Sequence, residues 1–448
     1  MSKEPIISVS GLRGIIGETL TPDVAIRYAC AFASQIGPGP LVITRDGRAT
    51  GRMLADLVRA SLSAAGRDVI DGDVAATPTT GVLVQQLETA GAIQISASHN
   101  PPEYNGLKLF GREGRVISAA AGQPVLELYR SGTAPAWVPH EQVGEISCCQ
   151  DTLSEHCRRV LATVDVERIR ERRFKVLLDS NHGAGSLLGL KLLAELGCEV
   201  ISLGATPDGQ FEHTPEPTAE NLAGVSEIVK SQGGVVGFCQ DPDADRLALI
   251  DANGRYIGEE YTVAVIVRHV LAQEKGPIVT NCSTSRMSED LANEFGVPFF
   301  RSKVGEANVT EMMIQQGAIF GGEGNGGPID PRVGFVRDSF VGMAQVLDAM
   351  AAREKSLSEL VEELPKYSIH KTKTPVDAAR LESTFDQLEA GFADAEPDRL
   401  DGLRLDWPGR WLLVRASNTE PIVRLVAEAP TADEAESLCD QAAKIIAG

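Results

Sequence analysis

The sequence predicts three related α/β domains with mixed sheets, followed by a C-terminal α+β domain. Short apolar runs alternate with amphipathic helical patterns, which is typical of βαβ units. This unit recurs at intervals of roughly 100 residues, and after about residue 366 several strand-like runs follow one another instead. The 448 residues suffice for about two to four domains of ordinary size.

Each domain is predicted from its own run of elements. The three α/β units pair a strand with a helix, at 41–47 with 51–66, at 175–179 with 186–196, and at 277–282 with 286–295. The last domain is predicted from helices at 377–394 and 431–447 and from strands at 403–407, 411–415 and 422–428. Candidate boundaries at 133–145 and 251–260 lead us to expect domains at 1–145, 146–252, 253–365 and 366–448.

The charge of the chain excludes several classes of protein. Acidic residues number 62 and basic residues 42, for a formal net charge of −20, and such a chain repels nucleic acid and anionic membranes. No long apolar run or secretory pattern is found, and the eight cysteines form no C-x-x-C pair. We therefore expect a cytoplasmic protein with reduced cysteines, in which locally concentrated Arg and Lys hold any anionic substrate.

Residues 241–246 form the strongest candidate site. Asp241, Asp243 and Asp245 follow a predicted strand at i, i+2 and i+4, so that they can converge on one hard divalent cation. An EF-hand would need Gly and Glu where the chain has Arg246 and Ala252. The D-x-D start of a haloacid-type phosphatase normally continues with Thr or Val, where this chain has an aspartate. A solvated acidic turn is the alternative for this segment alone.

A second candidate site is the small polar segment at 95–101. Ser98 is placed on a turn with His99 beside it, but the G-x-S-x-G elbow of a hydrolase is missing. An Asn-Pro turn with capping serines explains the segment at least as well.

The glycine-rich segment at 321–327 formally contains G-x-G-x-x-G. A dinucleotide site would require a helix to begin there, and Pro328 and Pro331 argue against one. Glu323 and Asn325 instead suit hydrogen bonds to neighbouring hydroxyls of a sugar, and an ordinary flexible loop is the alternative.

The fourth candidate is the segment at 415–421, which follows a predicted strand. Its arginine, hydroxyls and amide form a plausible phosphate-binding turn, to which Arg424 can add charge. The side chains concerned are those of Arg415, Ser417, Asn418 and Thr419. A simple strand–turn–strand connection is the alternative.

Taken together and in this order, these segments resemble the α-D-phosphohexomutase superfamily over the whole chain. The resemblance rests on the four segments and on Ser10-Gly11-Leu12-Arg13-Gly14, Arg45-Asp46-Gly47-Arg48, Tyr104-Asn105-Gly106-Leu107-Lys108 and Lys303-Val304-Gly305. It implies four domains around a central cleft. It also implies transfer of phosphate between O6 and O1 of a hexose through a 1,6-bisphosphate, which would serve as activator.

The resemblance implies a role for each candidate residue. Ser98 would be the phosphoserine, and Asp241, Asp243, Asp245 and an oxygen of Ser98 would hold one Mg²⁺. The transferring phosphate would be surrounded by Arg13, His99, Lys108 and Arg246, with Lys108 as general acid/base through a lowered pKa. The sugar would be read by Glu323 and Asn325 with Lys303 nearby. The other phosphate would be held by Arg415, Ser417, Asn418, Thr419 and Arg424.

The sugar loop departs from the common bacterial pattern G-E-x-S-G-H. Here Asn325 replaces the Ser, and Gly327 stands where the His would be, so no role of that His carries over. The Asn-Gly-Gly form is similar to that of phosphoglucosamine mutases. We therefore expect glucosamine 6-phosphate and 1-phosphate as substrates, for UDP-N-acetylglucosamine synthesis, with glucose or mannose phosphates as the alternative.

Two functions of other classes compete with a mutase. A metal-dependent sugar phosphatase would lose the phosphoryl group to water, and a non-catalytic relative would only bind sugar phosphate. The presence of all catalytic-type residues argues against the second. The expected partner is a small sugar phosphate, with no nucleic acid and no membrane, for a monomer or homodimer.

Overall fold

The computed structural model describes residues 4–8, 11–377, 380–416 and 422–447. It confirms the predicted architecture, because three mixed α/β sheets precede a C-terminal antiparallel sheet that packs with helices. Among the described residues, no helix combines the length and the apolar character needed to cross a membrane. All eight cysteines are free thiols.

The first domain carries the serine segment. Its elements are β1 (Ile6–Ser8), β2 (Gly11–Ile15), α1 (Pro22–Gln35), β3 (Leu41–Arg45), α2 (Gly51–Ala64), β4 (Val69–Val74), α3 (Thr77–Gln86), β5 (Gly91–Ile95), β6 (Tyr104–Gly111), α4 (Ala119–Arg130), a 3₁₀ turn (His140–Gln142) and β7 (Ile146–Cys148). The strand order is β1-β2-β6-β5-β3-β4-β7. The pairs among β3, β4, β5 and β7 are parallel, and β1, β2 and β6 are added antiparallel.

The second and third domains repeat a smaller mixed sheet. The second contains α5 (Ser154–Leu161), α6 (Val166–Arg172), β8 (Lys175–Asp179), α7 (Gly185–Glu195), β9 (Glu199–Leu203), α8 (Ala223–Gln232), β10 (Val236–Gln240) and β11 (Leu247–Ile250). The third contains α9 (Glu259–Gln273), β12 (Ile278–Asn281), α10 (Met287–Phe295), β13 (Phe299–Ser302), α11 (Glu306–Gln316), β14 (Phe320–Glu323), β15 (Gly327–Ile329), α12 (Ser339–Arg353) and α13 (Leu357–Glu362). Their strand orders are β11-β10-β8-β9 and β13-β12-β14-β15.

The fourth domain is an antiparallel sheet packed against helices. It contains β16 (Ser368–Pro375), α14 (Leu381–Gly391), β17 (Glu396–Asp398), β18 (Leu403–Trp407), β19 (Arg410–Ala416), β20 (Ile422–Ala429) and α15 (Ala432–Ala447), with strand order β16-β20-β19-β18-β17. Its core is separate from those of the other domains and includes Leu405, Leu425 and Leu438.

Local sequence signals explain several element boundaries. Thr21 caps α1, because its hydroxyl accepts a hydrogen bond from the Val24 N–H, and Pro22 occupies the first helical position. The segment 41–47, predicted as a buried strand ending in a polar loop, forms a strand up to Arg45, and the next residues form a turn that supports the serine segment.

Helix α12 joins the second and third domains. It is buried along almost its whole length, since it packs against α5, α6 and α7 of one domain and α9 of the other. One continuous apolar core therefore runs through both domains, from Val160 and Leu192 to Phe340 and Leu360. This shared core sets the position of the aspartate segment at 241–246 relative to the glycine-rich segment at 321–327.

Candidate active site

The candidate residues lie where the strands of three sheets end. Ser98 follows β5, the three aspartates follow β10, and Glu323 is the last residue of β14. The carboxyl edge of an α/β sheet is the usual position of a ligand site, because the loops after parallel strands meet there. Lys108 reaches the same point from β6, where it pairs in register with Gln94 of β5.

Ser98 is buried and held in a strained turn. Its φ is +52°, in the left-handed region that a non-glycine residue rarely adopts. Its hydroxyl lies 3.2 Å from Asp241 Oδ2 and 3.1 Å from His99 Nδ1. The serine segment of the first domain thus directly contacts the aspartate segment of the second.

Arg48 holds the serine segment in place through hydrogen bonds to its backbone. Its guanidinium donates to the backbone carbonyls of Ser98 (2.7 Å), Pro101 (2.7 Å) and Tyr104 (2.9 Å), and its Nε lies 3.2 Å from Asp46 Oδ2. Arg48 and Asp46 are almost fully buried. The R-D-G-R pattern in the sequence indicated family likeness, but nothing in it assigned this supporting role.

The three aspartates form a compact group of oxygen donors. One carboxylate oxygen from each of Asp241, Asp243 and Asp245 lies within 4.8 Å of the others, and all three residues are buried. Among the described residues, Oδ1 of Asp243 and Oδ1 of Asp245 are buried without a hydrogen-bond partner. Buried carboxylates with open oxygens fit a hard divalent cation, so these residues could hold a metal.

Two cations occupy the other oxygens of the aspartates. Lys108 Nζ lies 2.8 Å from Asp243 Oδ2 and 3.1 Å from Asp245 Oδ2. Arg337 Nη2, which the sequence reasoning did not identify, lies 2.6 Å from Asp245 Oδ2. We call Ser98, Lys108, Arg337 and the three aspartates the transfer cluster.

The charge environment corrects the expectation of a lowered pKa for Lys108. Burial lowers the pKa of this lysine, but the carboxylates of Asp243 and Asp245 outweigh burial, and the pKa lies above its ordinary value. The neighbouring cations, which were expected to dominate, contribute less than the two ion pairs. The two ion pairs thus favour the protonated form of Lys108.

Asp241 and Asp243 have different neighbours, and their pKa values are shifted in opposite directions. Burial raises the pKa of Asp241, and the charges of Asp243 and Asp245 raise it further. Burial acts in the same direction on Asp243, but Lys108 and a hydrogen bond from Thr77 (2.6 Å to Oδ2) outweigh it and lower its pKa. Burial and the two neighbouring carboxylates thus favour the neutral form of Asp241, the carboxyl that contacts Ser98.

Arg13 and Arg246 add positive charge near His99, the residue next to Ser98. Burial lowers the pKa of Arg13, which lies in the field of Asp243 and Asp245. Burial, Arg246 and Arg13 together lower the pKa of His99 to about 2, so its imidazole is neutral near pH 7. The backbone N–H of Arg246 donates to Asp241 Oδ1 at 3.1 Å.

The sugar loop is joined to the transfer cluster through Arg337. Nη1 of this arginine lies 2.9 Å from Glu323 Oε2, and Glu323 Oε1 accepts from Asn281 (2.6 Å) and from the Gly305 N–H (3.0 Å). Oδ1 of Asn325 is buried and has no hydrogen-bond partner within the described residues. Both residues predicted to bind the sugar thus lie on the loop that Arg337 connects to the transfer cluster.

The fourth domain contacts the third domain through Asp401. This carboxylate accepts from the Val304 N–H (2.9 Å) and pairs with Arg415 Nε (2.9 Å). It therefore links the fourth domain to the loop that carries the exposed Lys303. The predicted phosphate ligands Ser417, Asn418 and Thr419 lie outside the described residues.

Three cations stand side by side across the sheet of the fourth domain. Arg424 on β20 is in register with Arg415 on β19 and with Lys373 on β16. We call these three residues the cationic row. Like charges directly opposite each other repel, so such a row is favoured when an anion binds to it.

Comparison with known proteins gives a consistent result. Four family models match, described as Phosphoglucomutase/phosphomannomutase, alpha/beta/alpha domains I (residues 5–135), II (154–254) and III (259–367), and its C-terminal domain (377–445). A relative from Thermococcus kodakarensis named "Phosphoglucomutase/phosphomannomutase" is 37% identical, with 97% of each chain covered. A "Probable phosphoglucosamine mutase" from Methanopyrus kandleri is 32% identical, with 98% of this chain and 96% of the relative covered.

Solved structures agree in fold. A phosphoglucomutase/phosphomannomutase family protein from Burkholderia thailandensis superposes with a TM-score of 0.84 at 27% identity, over 98% of this chain and 97% of the other. An N-acetylphosphoglucosamine mutase from Aspergillus fumigatus, in complex with GlcNAc-6P and magnesium, gives a TM-score of 0.62 at 14% identity, over 99% and 96% of the two chains.

Proposed function

The chain belongs to the α-D-phosphohexomutase superfamily, and we propose that it interconverts glucosamine 6-phosphate and glucosamine 1-phosphate through a phosphoserine at Ser98. Membership of this superfamily makes the protein a phosphotransferase of the mutase type. The observation that carries the proposal is the contact of the Ser98 hydroxyl with Asp241 inside a buried cluster of carboxylates and cations. A phosphoryl carrier needs a shielded nucleophile and dense positive charge, and this position offers both.

Asp241, Asp243 and Asp245, with an oxygen on Ser98, would hold Mg²⁺. The fit rests on the open oxygens of Asp243 and Asp245 and on the burial of all three carboxylates. When bound, the ion would neutralise charge on the transferring phosphoryl group and orient it. The Aspergillus mutase of the same fold is in complex with magnesium and a sugar phosphate, which supports this choice.

The chain's own residues would position and protonate the reacting groups. Arg13 and Arg246 would bind the phosphoryl oxygens beside Ser98, and the neutral His99 would hydrogen-bond to the serine. Lys108, which pairs with Asp243 and Asp245, would be the general acid/base and would supply a proton to the serine oxygen as the phosphoryl group leaves.

The two half-reactions require the bisphosphorylated sugar to turn over in the cleft. The phosphate that is not being transferred would bind Arg415, Ser417, Asn418, Thr419 and Arg424, while Glu323 and Asn325 hold the sugar hydroxyls near Lys303. Movement of the fourth domain about its contact with the third would admit substrate. The apolar part of that contact is a small cluster, whose buried residues are Cys282, Trp411 and Leu413.

The choice of glucosamine rests on the sugar loop. Asn325 and Gly327 give it a form that resembles that of phosphoglucosamine mutases, and several relatives at about 30% identity are named "Probable phosphoglucosamine mutase". A phosphoglucomutase/phosphomannomutase is the second candidate. The 37% identical relative from Thermococcus kodakarensis, which bears that name, favours it.

A parallel assay of substrates tests the proposal. The 1- and 6-phosphates of glucosamine, glucose and mannose are compared by kcat/KM, each primed with the matching 1,6-bisphosphate. We expect isomerisation with glucosamine phosphate as the best substrate. If glucosamine phosphate is the poorest of the three, the substrate assignment is wrong, and steady release of inorganic phosphate without isomerisation would identify a phosphatase instead.

A further inference from the structure

We propose that Glu259 recognises the 2-ammonium group of the sugar and thereby selects hexosamine phosphates over hexose phosphates. This inference rests on the proposed glucosamine phosphate activity and adds to it a residue that determines specificity. Glu259 and Glu260 open helix α9, directly after the bend at Gly258, whose φ is +96°. Neither belongs to the segments in which the sequence indicated a function.

The acidic pair lies against the sugar loop. A methyl group placed on Gly324 would be only 2.0 Å from Glu260 Oε2 and 2.2 Å from Oε1, so the Glu260 carboxylate rests on the loop backbone between Glu323 and Asn325. Gly324 is thus needed for this close approach. The start of α9 is therefore beside the residues proposed to hold the sugar hydroxyls.

The two glutamates differ in their hydrogen bonds. Glu260 Oε2 accepts from the Ser285 N–H at 2.9 Å, so this carboxylate is already fixed. Glu259 Oε1 is buried and has no hydrogen-bond partner within the described ranges of the chain. A buried carboxylate oxygen without a donor costs free energy, which a ligand that supplies a donor would recover.

The groups that face Glu259 show which space it borders. Its electrostatic neighbours are Arg246 beside the transfer cluster, Lys371 on β16 of the fourth domain, Glu216 and Arg337. Glu259 therefore lies close to charged groups of both the transfer cluster and the fourth domain. Burial raises its pKa to about 7, so a bound cation would favour the ionised form.

An ammonium group matches this environment better than a hydroxyl group. Both can donate a hydrogen bond to Oε1, but only the ammonium adds a favourable charge interaction with the buried carboxylate. The substituent on C2 is adjacent to the C3 hydroxyl, so it falls near the sugar loop whenever the neighbouring hydroxyls are bound there. Glu259 would thus discriminate by charge at the carbon that distinguishes glucosamine from glucose.

The test compares specificity ratios in the full-length enzyme. For wild type, Glu259→Gln and Glu259→Asp, kcat/KM is measured with glucosamine 1-phosphate and glucose 1-phosphate. We expect Glu259→Gln to lower the glucosamine-to-glucose ratio at least about tenfold, with partial recovery in Glu259→Asp. Glu274→Gln, at the exposed far end of the same helix region, is the matched control and should keep the wild-type ratio.

Each alternative result has a distinct meaning. If wild type prefers glucosamine phosphate and Glu259→Gln keeps that preference, the inference is wrong and the proposed function stands. If both substrates lose activity equally, Glu259 acts in folding or in closure against Lys371, which also overturns the inference. If wild type shows no preference for the amino sugar, the substrate assignment and the inference fail together.

Discussion

The transfer cluster and the cationic row are both expected to bind phosphate, but they are built in opposite ways. In the cluster, Lys108 and Arg337 are buried and already paired with aspartates, and Arg48 fixes the serine turn. In the row, Arg415 pairs with Asp401, but Arg424 and Lys373 are exposed and face each other across paired strands. One site is assembled before substrate arrives, and the other lies open to receive it.

This difference follows from what each site must do. Transfer of a phosphoryl group depends on fixed geometry in a site protected from water, so its charges must be balanced by neighbours in the folded protein. A site that accepts either end of a turning intermediate needs affinity and access rather than rigidity. Substitutions in the cluster should therefore impair chemistry or folding, whereas those in the row should impair binding.

The largest effect is expected for Ser98→Ala. Loss of the nucleophile should lower kcat by about a thousandfold or more, since no other group can carry the phosphoryl intermediate. A coupled assay of isomerisation measures this, with Ser34→Ala on the surface of α1 as control. Full activity in Ser98→Ala would rule out the phosphoserine.

Asp243→Asn should come next. The amide keeps the shape of the side chain but removes one charge from the metal ligands, so we expect roughly a hundredfold lower kcat and weaker Mg²⁺ binding. Titration calorimetry with Mg²⁺ separates affinity from catalysis. Asp433→Asn, at an exposed position in the first turn of α15, is the control, and unchanged Mg²⁺ affinity in the Asp243 variant would contradict the proposed metal site.

Arg48→Met tests whether the hydrogen bonds of Arg48 hold the turn at Ser98 in place. The substitution removes the cation that pairs with the buried Asp46 carboxylate and leaves four backbone carbonyls without their guanidinium donor, so the free energy of unfolding should fall by about 3–5 kcal/mol. Urea denaturation gives the value, and kcat should fall as well because the turn at Ser98 loosens. A loss below about 1 kcal/mol would mean that the turn is held by other contacts.

The smallest effect on the protein itself is expected for Arg424→Ala. Removing one of three facing cations should leave Tm unchanged or slightly higher, while KM for the sugar phosphate rises about tenfold through the lost charge-assisted contact. Thermal unfolding and steady-state kinetics are compared with those of Arg410→Ala, on the same sheet. A normal KM would exclude Arg424 from the phosphate site.

The sequence predicted the cluster better than its surroundings. Asp241, Asp243 and Asp245 were identifiable because i, i+2, i+4 carboxylates after a strand have a direct chemical interpretation, and Ser98 because of its place in the family pattern. Arg337 was missed because its partners Asp245 and Glu323 are distant along the chain. The predicted direction of the Lys108 pKa shift was wrong for the same reason, since the shift depends on which charges the fold brings nearest to the lysine.

The central claim is that Ser98 carries the phosphoryl group between two positions of one sugar. The most direct measurement follows a radioactive phosphate from labelled glucosamine 1,6-bisphosphate, with the labelled residue mapped by mass spectrometry. We predict label on Ser98 and its transfer to added unlabelled glucosamine 6-phosphate, with no label bound by Ser98→Ala. Label on another residue, or its release only as inorganic phosphate, would contradict the account.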